Sequence, residues 1–518
     1  MPRAVGGGTL VEFLQRARAR VLATSRPVLA TYVEPLPDLD PLDAFARADG
    51  GMEDRVYWAR PNKGVAVAGV GAAVTVSPSG AGRFVTAGRM WRALIAGGLC
   101  DGPGAINAAG AAPAAMGTDA FGRRPMLLGG FRFDPARPAD QAWRGYPDAW
   151  LAVPRLCLAV SPAGRWLASS VLVRPGDDAA RLAGSLERDR DRLLGVGAVS
   201  ESARAWALIE GSFHQSSASP DDSAPEKSGD PMAPPRDDTE RAAREAFLAV
   251  VTGGAAAVRA GALEKVVLAR AVSWRPSEPP DAVAALRRLA VRYPECHLFA
   301  VARGRRVFLG ASPERLVRVE GRMVRATCLA GSIARGTSPA EDERQGAALL
   351  ASAKDREEHA IVVRALTAAL ADLCHDVVAP AVPVLLTMPD VHHLYTPVTA
   401  RLRDGVEVLD LVARLHPTPA VGGAVREAAL DFIRTHELWD RGWYAAPVGW
   451  LDASGDGEFA VALRSALLDG DHATLFAGCG VLGDSDPEDE YEESELKLRA
   501  MREGLAGAVL ADDVAGAQ

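Results

Sequence analysis

The segment RVFLGASPERLVRVEGRMVRATCLAG (306–331) decides the fold. RVFLGA is rich in branched and aromatic side chains and reads as a strand that ends at Ala311 and runs into Ser312-Pro313-Glu314. LVRVE and RMVRATCLAG then flank a turn at Glu320-Gly321, which predicts a hairpin. Connections this short join antiparallel strands, because a parallel pair needs a crossover of a dozen or more residues.

The same pattern extends in both directions. Upstream, residues 64–77 and 126–133 (MLLGGFRF) alternate as strands, and Trp150 to Val173 reads as a hairpin turning at Ser161-Pro162-Ala163-Gly164. Residues 177–195 predict an amphipathic helix with Leu182, Leu186 and Leu193 on one side. A helix from about Thr239 to Ala260 leads into the strand VVLAR (266–270). Downstream, Ser338 as N-cap and Pro339 as first residue predict one long helix towards Leu373. Strands follow at 446–451, 459–468 and 473–479, and a charged helix closes the chain from Glu488 to about Leu505. This is an α+β pattern: large, mostly antiparallel sheets with outer helices.

The stretch HQSSASPDDSAPEKSGDPMAPPRDDT (214–239) has no aromatic or branched aliphatic residue and cannot offset its ordering entropy. It divides the chain into an N-terminal half (1–210), a disordered Ser/Pro/Asp-rich linker (211–240) and a C-terminal domain (241–518).

Composition narrows the function. The chain has 518 residues and a net charge of −8, which argues against a nucleic-acid or acidic-membrane partner. No apolar run is long enough for a membrane span; the Ala/Gly-rich segment near 104–117 is broken by Pro113. The N-terminus lacks a basic start followed by an apolar run, and the six scattered cysteines form no CxxC. A cytoplasmic protein with reduced thiols is expected.

Only five lysines (Lys63, Lys227, Lys265, Lys354, Lys497) stand among 53 arginines. An amine can lose its proton at accessible cost and a guanidinium cannot, so a buried lysine here calls for a reason. Lys265 opens a strand and, if desolvated or near other cations, could act as a general base. Glu314, at a strand end after Ala-Ser-Pro, could project into a cleft as a general acid.

Two carboxylate pairs have i, i+3 spacing on helices: Asp355 and Glu358 in KDREEHAIVV, Glu490 and Glu493 in DPEDEYEESELKL. An acidic helix face is ordinarily only a solvated one. Two such faces could nevertheless supply the oxygen ligands that Mg²⁺ wants while leaving positions open for water and an anionic substrate. Other chemistries lack their motifs. HH at 392–393 has no HExxH spacing, no Walker loop or GxSxG elbow is present, and GVGAAV near 69 lacks the context of a dinucleotide site.

At these residues the sequence resembles the chorismate-utilising enzymes: isochorismate, salicylate, anthranilate and aminodeoxychorismate synthases. The matching segments include EKVVLAR (264–270), FLGASPERL (308–316), TCLAGSIARG (327–336), LLASAKDREEH (349–359), HHLYTPV (392–398) and LHPTPAVGG (415–423). RGWYAAPVGW (441–450), GEFAVALRSA (457–466), FAGCGV (476–481) and DPEDEYEESELKL (486–498) complete the series. The N-terminal half is similar more loosely, in PMLLGGFRF and AWLAVPRLCL.

The resemblance implies one compact fold with its active site in a cleft between the sheets. It implies Mg²⁺ bound by Glu358 and Glu493, with Asp355 and Glu490 in support. It implies that Gly331, His393, Ala420, Arg464, Gly478 and Lys497 contact the substrate chorismate, Arg464 and Lys497 at its carboxylates and, by their charge, easing proton loss from Lys265. Lys265 becomes the base that activates water and Glu314 the acid that protonates the departing C4 hydroxyl. Aminating relatives usually carry glutamine at the position of Lys265, and aminodeoxychorismate synthases a nucleophilic lysine at that of Ala330. Relatives that expel pyruvate tend to carry threonine where Ala420 stands. The pattern favours a Mg²⁺-dependent isochorismate synthase of the menaquinone or siderophore type with no obligate protein partner. A salicylate synthase is the alternative; an aminating subunit or a catalytically dead scaffold fits less well.

Overall fold

The computed structural model describes residues 9–36, 38–48, 54–106, 120–195, 238–276 and 278–506. Most of the expected linker lies outside these residues; its last three positions, 238–240, belong to the helix Asp238–Arg259. Among the described residues are twenty strands, all connected through hydrogen-bonded pairings, and eleven α-helices. The pairing of Val28–Pro35 with Leu99–Asp101 is parallel and every other pairing is antiparallel.

The network forks at the long strand Ala149–Ser161, which pairs with both Val65–Val76 and Met126–Phe131. One arm continues through Asp54–Arg60, His297–Arg303, Arg306–Ser312, Ser465–Asp469 and His472–Val481 to Lys265–Trp274. The other continues through Pro447–Asp452, Gly457–Val461, Arg315–Glu320 and Met323–Ala334 to Val391–Leu402. Phe299 and Phe308 from the first arm share one core with Phe131 and Phe459 from the second. Each of these rings is fully buried, worth roughly 1.5–3 kcal/mol apiece. A second core lies outside the first arm, where Leu286 and Leu289 of one helix meet Leu498 and Met501 of the closing helix Pro487–Leu505.

The hairpin that decides the fold is present as Arg315–Glu320 paired with Met323–Ala334. Two expected elements are each divided. The single helix from 339 to 373 is two helices, Pro339–Ala351 and Ala353–Ala371. Ser352 breaks it with extended backbone (φ −62°, ψ 119°): its N–H closes the first helix and its hydroxyl accepts from the Asp355 N–H of the second. The single strand at 459–468 is two strands, separated at Ala462–Arg464.

Candidate active site

Both divisions place functional side chains. Arg306–Ser312 belongs to one arm and Arg315–Glu320 to the other, so Pro313 and Glu314 form a crossover between them. The chain returns between Val461 and Ser465. The two crossovers bond to each other: Val461 N donates to Glu314 O at 3.0 Å and Ala311 N to Arg464 O at 3.0 Å. Ser312 Oγ adds a bond to Val461 O at 2.5 Å. Arg464 takes φ 47°, left-handed backbone that costs a residue with a Cβ roughly 1–2 kcal/mol.

A cleft with an empty volume of about 730 Å³ opens there. Nine of the twelve expected site residues line it: Glu314, Gly331, Glu358, His393, Ala420, Arg464, Gly478, Glu493 and Lys497. Lys265, Asp355 and Glu490 stand behind that lining.

Glu314 is 3% exposed. Burial pushes its carboxyl up to about 8, against the opposing pull of Lys265, Lys497, Arg464 and the Thr418 hydroxyl. Near neutral pH it therefore carries a proton, as a general acid must.

Lys265 is 1% exposed, and its Nζ lies 2.8 Å from Glu358 Oε1. This differs from the sequence expectation, which surrounded the amine with cations. The reason is local. Gly480, on the neighbouring strand, leaves a slot through which the lysine reaches the carboxylate. A Cβ there would overlap Glu358 Oε1 and come within 2.8 Å of Lys265 Cε. Lys497 is likewise paired, 2.6 Å from Glu493 Oε1, and donates to Gly478 O at 3.0 Å.

The four carboxylates come from two helices, Ala353–Ala371 and Pro487–Leu505. Asp355 is raised by burial and by the charges of Glu358 and Glu493, although it accepts from Ser352 Oγ. Glu490, 3% exposed, is pushed up to about 8 by burial and then by Glu493 and Glu358. Its Oε2 has no hydrogen-bond partner, and Lys354 Nζ is 3.5 Å from Oε1. Among the described residues no group of three His, Cys, Asp or Glu side chains is arranged as a metal cage. Glu358 and Glu493 are instead each closed by a lysine. The donor chemistry still fits a hard divalent cation: carboxylate oxygens only, mutual repulsion, and one buried oxygen left without a partner.

His393 Nδ1 lies 2.9 Å from Ser332 Oγ and Nε2 lies 3.2 Å from Arg464 Nη2. Burial, then Arg464 and Lys497, push this imidazole down to about 3, so it is neutral at physiological pH. Ser332 also lines the cleft. Reading the sequence did not single it out, although a glycine before a hydroxyl residue inside a strand is the signal of a bulge. The bulge is there: between the pairs Leu329–Tyr395 and Ser332–His393, two residues oppose one. Gly331 occupies it at φ 78°, with a Cβ position only 3.0 Å from Asp355 Cβ.

Residues 12–506 match the family model described as chorismate binding enzyme. The chain belongs to that family. It is 38% identical over 500 residues to the salicylate biosynthesis isochorismate synthase of Pseudomonas aeruginosa, covering 96% of this chain and 95% of that one. Isochorismate synthase MenF of Bacillus subtilis is 36% identical over 385 residues, 74% of this chain and 75% of its own. The structure of MenF, the menaquinone-specific isochorismate synthase of Escherichia coli, superposes with a TM-score of 0.68. It does so at 23% identity over 96% of this chain and 99% of that one, which shows the shared fold.

Proposed function

We propose that this chain is an isochorismate synthase, adding water at C2 of chorismate and expelling the C4 hydroxyl with a shift of the ring double bond. The observation that carries the reading is Glu314: a buried, protonated carboxyl facing a cleft that also holds Arg464, Lys497, Glu358 and Glu493. It gives its proton to the C4 oxygen, which leaves as water. Lys265 takes a proton from the water that attacks C2, so one water enters and one leaves. An amine acts as a base only when neutral, so the ion pair with Glu358 opens in the working enzyme. Arg464 and Lys497 receive the substrate's carboxylates. Glu358 and Glu493, supported by Asp355 and Glu490, would hold Mg²⁺, which when bound neutralises anionic charge and draws electron density from the ring.

Ala420 at the cleft supports release of isochorismate without pyruvate loss. The names of the relatives support a product used for menaquinone or for salicylate synthesis. The protein acts without an obligate protein partner. Among the described residues no helix is long and apolar enough to cross a membrane, which supports a cytoplasmic place of action. The test is chromatography of the products from chorismate and Mg²⁺, with and without ammonium. Isochorismate alone is expected. Salicylate with pyruvate would assign the chain to the salicylate synthases, and an ammonium-dependent amino product to the aminating enzymes.

A further inference from the structure

Lysine is scarce in this chain, five against 53 arginines, yet the counter-ions of the acidic set are lysines. Lys265 stands on Glu358 at 2.8 Å, Lys497 on Glu493 at 2.6 Å and Lys354 on Glu490 at 3.5 Å. Among the described residues no arginine pairs with any of these three carboxylates. The first two lysines already have roles in the proposed reaction; Lys354 has none. It is the second residue of the helix Ala353–Ala371, where the helix dipole disfavours a cation, so the helix itself does not call for it. Its partner Glu490 lies on the other helix of the acidic set, Pro487–Leu505.

A guanidinium grips a carboxylate with two parallel N–H bonds, whereas an ammonium is a single point charge on a flexible stem. The difference shows at Glu490. Lys354 meets Oε1 alone, and the buried Oε2 is left without a partner. A guanidinium in the same place could cover both oxygens and close the carboxylate. The Lys354 side chain is 37% exposed, so it has solvent into which it can withdraw.

We propose that Lys354 is a positioning residue that acts through Glu490: an exchangeable counter-ion, bridging the two helices, that gives the carboxylate up to a divalent cation. Its single-point contact then sets how firmly the acidic set holds that cation. Glu490 stays in place while it waits, because one of its oxygens is tied across to the neighbouring helix, and its other oxygen stays open. Lysine is the residue for this task because it neutralises without clamping.

The proposal rests on the Mg²⁺ reading of the four carboxylates, and its test separates the two. Mg²⁺ binding to the substrate-free, full-length protein is measured by calorimetry at about pH 9, where Glu490, raised to about 8, carries its charge. Lys354→Met is expected to bind Mg²⁺ about tenfold more tightly than wild type, one water-screened positive charge having left the cation's neighbourhood. Damage to the fold would weaken binding, not tighten it. Lys354→Arg is expected to bind about tenfold more weakly, because the fork holds Glu490 closed. Arg356→Met removes a charge from an exposed position two residues along the same helix and is expected to stay within about twofold of wild type. Lys354→Met no tighter than wild type, Lys354→Arg no weaker, or Arg356→Met as tight as Lys354→Met overturns the proposal. Absence of Mg²⁺ binding from wild type and from every variant would instead overturn the metal reading on which it stands.

Discussion

Two buried glutamates, Glu314 and Glu458, are served by adjacent residues of one chain segment yet hold their protons in opposite ways. Glu314 lines the cleft, with its carboxyl raised to about 8. Arg315, the next residue, turns to the other side and places Nε 2.7 Å from Glu458 Oε1. Glu458 also receives His297 at 2.9 Å, Arg60 at 3.3 Å and Arg318 at 3.7 Å. Burial raises it as it raises Glu314, but the His297 hydrogen bond and the surrounding positive charges prevail and hold it below the usual carboxylate range. Burial alone therefore does not decide protonation; the hydrogen bonds and ion pairs made directly to the carboxylate do. The Glu458 cluster is neutralised and holds the sheets together. Around Glu314 the opposing charges do not outweigh burial, and it keeps its proton.

The comparison breaks first on paired substitutions. Glu314→Gln is expected to lower kcat on the order of 10² to 10⁴, measured by isochorismate formation, while chorismate still binds. Its melting temperature at pH 7.5 should equal or exceed wild type. A carboxyl raised in the folded state costs stability as pH rises from its unfolded value towards about 8, and the amide removes that cost. Lys265→Ala should lose turnover in the same range, and near-normal turnover would remove it as the base. Glu458→Gln should do the reverse, destabilising by about 3–5 kcal/mol in denaturant titration because its arginines lose their counter-charge. Its turnover per folded molecule should stay near wild type. The stabilisation from Glu458 is present above the unfolded carboxylate pKa of about 4.3 and is lost as pH falls through the lower folded value, so the two stability curves should converge in acid.

A smaller effect sharpens the same contrast. kcat/KM should fall about tenfold per unit above pH 8 as Glu314 ionises, and this alkaline limb should be absent from whatever activity Glu314→Gln retains. Last, Glu493→Ala should raise the Mg²⁺ concentration needed for half-maximal rate. An unchanged metal dependence would remove the carboxylate set from the metal's place.

The alternation around Glu320-Gly321 and the i, i+3 carboxylates were legible because each is a local pattern with one period. Glu314 could be placed at a strand end for the same reason. The break at Ser352 was hidden because the apolar spacing continues through it and only the capping hydroxyl marks it. The break at Arg464 was hidden because no glycine announces its left-handed backbone. The pairing of Lys265 with Glu358 depends on the missing side chain of Gly480, adjacent in the sheet but far away in the sequence, and no local pattern carries it. The partners of Glu458, the guanidinium groups of Arg60, Arg315 and Arg318 and the His297 imidazole, are gathered from distant parts of the chain, so their spacing in sequence says nothing.

The paired crossovers have a mechanical consequence. Glu314 and Arg464 hang from the same two stitches, each stitch running from one arm of the strand network to the other and bonded to its twin. Any shift of one arm against the other is therefore expected to carry both groups together. Adaptation to a differently shaped acid must then come from the walls around the pair, not from its two members.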